Sequence, residues 1–105
     1  MDDLQKSIAF RNLIREEIGK FLISKSFTKT YDNENENQEN SHNWVFRLAY
    51  KEIKLIEIYN RDWRDYIEYF HVAVDGKEMF DVNIKDYETL GLALENFKFK
   101  IKELI

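Results

Sequence analysis

The chain has 105 residues, with no cysteine, no proline and three glycines. Without cysteine, neither disulfides nor thiolate metal sites can add stability, so the fold rests on packing alone, as suits a reducing compartment. The glycines, Gly19, Gly76 and Gly91, lie far apart, so no glycine-rich phosphate loop exists and nucleotide binding has no support. No run approaches the roughly 20 uninterrupted apolar residues of a membrane helix. The start, Met1-Asp2-Asp3-Leu4-Gln5-Lys6, lacks the basic opening and apolar block of a secretory signal. A soluble cytoplasmic protein without membrane contact is expected. Histidine occurs twice, as His42 and His71, and no spacing joins either to a second ligand in a known metal pattern, so no metal and no cofactor are expected.

What is present describes a chain that collapses. Apolar residues make up 44% and aromatic residues 15%, against 34% charged, which is a globular composition. A single domain of this length buries roughly two thirds of its unfolded surface. The net charge of -4 argues against nucleic acid as a partner, since phosphates would be repelled. Richness in Lys, Asn, Glu, Ile and Tyr without proline is what an AT-biased genome encodes, and it suggests a low-GC bacterium or its phage as the source.

Residues 3–23 place Leu4, Ile8, Ile14, Ile18, Phe21 and Leu22 at helical spacing, an amphipathic helix capped by Asp2 or Asp3. Its other face, Lys6, Arg11, Arg15 and Lys20, reads as solvated charge. Residues 27–31 alternate as a short strand. Residues 32–43 contain no apolar side chain and are expected to form a mobile loop. Its carboxylates Asp32, Glu34, Glu36 and Glu39 equal the whole net charge, so the acidity is local.

Four further strands follow. Residues 44–50 put Trp44, Phe46, Leu48 and Tyr50 on one face and turn at Lys51-Glu52 into 53–59. A second turn, 60–65, precedes a strand over 66–74. Asp75-Gly76 is the strongest hairpin signal, because a type I′ turn needs positive φ at both central positions. A strand over 77–84 and a helix opened by Asp86 as N-cap, with Tyr87, Leu90, Leu94, Phe97, Ile101 and Leu104 at spacings of three and four, complete the chain. The fold class is α+β, an antiparallel meander of about five strands with a helix at each end, in the order α-β-β-β-β-β-α.

No catalytic residue stands out. Glu57 and Glu68 are the best carboxylate pair for acid-base work, close together if their strands pair, with both facing water as the plainer expectation. His71 reads as structural. The acidic stretch lacks the glycine and spaced glutamate of a calcium loop, and as a polyanion it suits a basic protein surface. The turn holding Arg61, Asp62, Trp63, Arg64 and Tyr66 is the leading contact site, since Trp, Tyr and Arg dominate interface hot spots. Trp63 acts there as an exposed anchor or as a lid on the sheet edge.

In size, acidity and want of catalytic residues the chain is broadly similar to small bacterial toxin-neutralising immunity proteins and phage-encoded inhibitors, a similarity of composition that covers no motif. A non-enzymatic binder is therefore expected, using Arg61, Asp62, Trp63, Arg64, Tyr66, Glu34, Glu36 and Glu39 against another, basic protein. A homodimer through an exposed sheet face is the alternative, followed by a small ligand-binding domain or enzyme near Glu57, Glu68 and His71. If both helices pack on one side of the sheet, the other side keeps residues such as Tyr50, Tyr59 or Tyr69 exposed, as an interface requires.

Overall fold

The computed structural model describes residues 2–33, 43–61 and 67–105. The N-terminal helix runs as α1 (Asp3–Leu13), a π-helical segment (Ile14–Ile18) and α2 (Gly19–Ser24). The Asp2 carboxylate accepts the Gln5 amide at 2.7 Å, and the Gln5 side chain accepts the Asp2 amide at 3.0 Å, a reciprocal capping box. The π segment has a cause in the sequence. Phe10, Ile14, Ile18 and Leu22 recur every fourth residue and all are fully buried. In an α-helix each step of four overshoots a full turn by about 40°, so three steps would carry the row roughly 120° around the helix. The wider π turn, closed from the Gly19 amide to the Ile14 carbonyl, takes back part of that drift and keeps the row facing the sheet.

Ser26, at φ 74°, reverses the chain into the sheet. Its strands are β1 (Thr28–Asp32), β2 (Trp44–Tyr50), β3 (Lys54–Asn60), β4 (Tyr69–Val74) and β5 (Lys77–Asn83), antiparallel neighbours in chain order. Asp75 and Gly76 sit at φ 52° and 83°, the two positive values a type I′ hairpin demands. The Asp75 carboxylate also accepts the Leu55 amide at 2.8 Å, tying this turn to β3.

The last helix, α3 (Leu90–Lys102), starts later than the sequence suggests. Asp86 closes a 3-10 turn (Ile84–Asp86), and Tyr87 is extended at φ -122°, ψ 144°, so the helix cannot run through it. Thr89 is the cap instead, its hydroxyl accepting the Leu92 amide at 3.1 Å.

Both helices lie on the same side of the sheet. Trp44, Phe46, Leu48, Ile56, Ile58, Phe70, Val72 and Val82 form one buried cluster with Phe10, Ile14, Ile18 and Leu22 from the first helix and Ala93, Leu94, Phe97 and Ile101 from α3. Phe10 stands between the layers, edge-on to Phe70 at 4.7 Å and to Phe97 at 6.2 Å between ring centroids. Tyr50 belongs to this packed side, against Phe27 at 5.6 Å, and so leaves the set of tyrosines expected on the open side.

Two arginines expected in solvent are instead structural. Arg11 is 9% exposed and donates from Nε and Nη2 to the Asn60 side-chain oxygen at 2.9 and 2.7 Å. Arg15 donates to both oxygens of Asp32, at 2.7 and 3.1 Å, and lies 4.9 Å over the Trp44 ring. Helical periodicity marks their positions as polar; it does not show that strand ends bring acceptors to them.

Candidate functional site

The second face of the sheet carries polar and aromatic groups, and no described helix covers it. Strand alternation and register set its rows: Tyr31, Arg47, Glu57, Ala73 and Glu78 across β1 to β5, and beside them Val45, Tyr59, His71 and Asp81 across β2 to β5. Arg47 bridges the first row. Its Nε donates to Glu57 at 2.8 Å, and its guanidinium lies 4.9 Å from the Tyr31 ring centroid, within cation–π range. In the second row the Tyr59 ring stacks on His71 at 4.9 Å and 20°, and Tyr69 flanks the imidazole at 6.3 Å. Arg61, just beyond β3, sits 5.9 Å from the Tyr59 ring.

The β4–β5 end of this face is acidic. His71 Nδ1 lies 3.1 Å from a Glu78 oxygen and 3.9 Å from an Asp81 oxygen. A β-bulge brings these carboxylates together. Val72 pairs with Phe80 and Ala73 with Glu78, which leaves Met79 as an extra residue in β5. Residues three apart on a regular strand point to opposite faces, and the inserted residue turns Glu78 onto the side of Asp81. The Tyr59 hydroxyl feels this arrangement. Partial burial, then the field of Glu78, raises its pKa above the usual 10.0, with Arg61 pulling the other way and Glu57 and Asp81 adding to the rise.

A buried polar knot fixes the lower end of the face. Asn60, fully buried, accepts from Arg11 and donates to the carbonyls of Ile67 and Tyr69 at 2.9 and 2.8 Å. The Ser7 hydroxyl donates to the same Ile67 carbonyl. Asn60 thus closes β3 rather than opening a turn, and it ties the end of β3 to Ile67 and to Tyr69 at the start of β4.

Of the residues expected to contact a partner, Arg61 is described and exposed on this face. Asp62, Trp63, Arg64, Tyr66, Glu34, Glu36 and Glu39 lie outside the described residues, as does His42. The base of the expected acidic loop is ordered structure. Asp32 ends β1 and accepts from Arg15 and the Trp44 indole, while Asn33, 7% exposed, bonds the Val45 amide and the Asn43 carbonyl, each at 2.9 Å.

The candidate Glu57–Glu68 pair does not form. Glu57 lies on the open face opposite Ala73, whereas Glu68 precedes β4 and lines a separate cleft of about 400 Å³ with Asp3, Lys6, Lys85 and Thr89, between the starts of α1 and α3. There Lys85 pairs with Asp3 at 3.0 Å, and that hydrogen bond, reinforced by the charges of Asp3 and then Glu68, raises the lysine's pKa. His71 accordingly has Glu78 and Asp81 as acidic neighbours, which the sequence reading missed because the bulge has no local signature. Comparison with protein-family models, with curated proteins and with solved structures finds no match.

Proposed function

We propose that this chain is a non-enzymatic protein-binding module of the inhibitor or immunity type, which lays its open sheet face on a partner protein. One observation carries the reading: both terminal helices pack on the same side, and the other side presents tyrosine and arginine on rigid strands. Tyr59 and Arg61, with Arg47 and Tyr31, form a patch of the residue types that dominate interface energetics. Strands held in register cost little further ordering on association. The net charge of -4 and the half-exposed Glu78 and Asp81 suit a basic partner surface, with association that slows as salt rises.

The test places a photo-crosslinking amino acid at Tyr59 on the open face and, separately, at Lys20 on the exposed side of the helix layer, in cells of the native host. A single basic protein crosslinked from position 59 and absent from position 20 supports the reading. A second copy of this chain captured from position 59 replaces it with the homodimer. Equal capture from both positions removes the open face as the site.

A further inference from the structure

We propose that His71, Glu78 and Asp81 form a binding site for a divalent first-row transition-metal ion, of which Zn²⁺ is the representative, on the open face at the β4–β5 hairpin. One ligand atom from each residue falls within 4.8 Å of the other two. From His71 Nδ1 the nearest oxygens of Glu78 and Asp81 are 3.1 and 3.9 Å away. Ligands about 2 Å from a common Zn²⁺ ion stand roughly 3 to 3.5 Å apart, so the metal requires closure of about 1 Å by side chains half-exposed and able to move.

Three further observations point the same way. Beyond its 3.1 Å contact with Glu78, the His71 imidazole holds a second carboxylate, Asp81, at 3.9 Å, the outer reach of an ion pair. The Met79 bulge specifically brings Glu78 and Asp81 onto one side, where a regular strand would part them, and bulges recur where a side chain must be re-aimed at a site. The imidazole is also fixed from both flanks, by Tyr59 at 4.9 Å and Tyr69 at 6.3 Å, so its ring plane is set before an ion arrives. One nitrogen and two carboxylate oxygens suit the borderline ions. Magnesium and calcium prefer more oxygens than this set offers. The ion would keep open positions toward solvent.

All three ligands lie on the hairpin, and the metal titration needs no partner protein. Isothermal titration of the chelator-stripped full chain with Zn²⁺ at neutral pH is expected to give one site per chain, with His71 ring signals shifting in the nitrogen-15 spectrum. Affinity should fall at least tenfold in His71→Ala and in Asp81→Asn, survive in His42→Ala, and withstand a large excess of Mg²⁺. Asp81 is exposed, and circular dichroism confirms that each variant is folded. No binding by the wild type overturns the proposal, as does binding unchanged in His71→Ala or lost in His42→Ala.

Discussion

Phe70 and His71 are adjacent in β4 and live in different solvents. Phe70 points into the layer between sheet and helices and is fully buried among aromatic rings, while His71 points to the open side and meets tyrosines and carboxylates. One strand thus supplies a residue whose worth is packing and a residue whose worth is chemistry. The contrast extends across the sheet: the packed side carries the buried core, and the open side carries polar and aromatic groups in contact with solvent.

The sharpest test compares these neighbours. Phe70→Ala should cost about 4 kcal/mol through lost burial and the cavity left behind, and His71→Ala about 0.5 kcal/mol, both read from urea unfolding. Comparable costs would break the contrast. Next is Asn60→Ala, expected to cost about 3 kcal/mol, because it removes the acceptor of a buried guanidinium and the donor to two carbonyls; a thermal melt near wild type would show that the packed side owes nothing to its polar knot. Gly76→Ala gives the scale of a purely local effect. With nothing within 4 Å of an added Cβ and φ at 83°, it should cost about 1 kcal/mol from backbone strain alone, and a larger loss would mean that the hairpin supports more than itself.

The smallest effect belongs to the open face and depends on pH. The raised pKa of Tyr59 means that the folded chain favours the neutral phenol. Its contribution is therefore complete below the unfolded value near 10 and is lost as pH rises through the higher folded value. Unfolding at stepped alkaline pH should show a steeper decline for the wild type than for Tyr59→Phe, and identical slopes would remove the influence of Glu78 and burial on this hydroxyl.

Element order was legible in the sequence because its signals are local. The alternation of Trp44, Phe46 and Leu48, the Asp75-Gly76 pair and the spacing of Leu90, Leu94, Phe97 and Ile101 each report on a few neighbouring residues. Three features were not legible. That both helices share one side depends on how the layers close, which periodicity leaves open. That Arg11 is buried depends on Asn60, 49 positions away. That His71 has two carboxylate neighbours depends on one unpaired residue in β5, and a strand read as strictly alternating sends Glu78 to the wrong side. The site was less readable than the fold because it is made of cross-strand register, and because most of the residues first singled out lie beyond those described.

The π turn in the first helix has a consequence for chain length. Phe10, Ile14, Ile18 and Leu22 are separated by four, four and four. Deleting the exposed Glu16 or Glu17 would make the intervals four, three and four, the pattern an unbroken α-helix satisfies without help. The helix is one residue longer than its buried row requires, so a shortened chain should fold around the same core with the π turn gone.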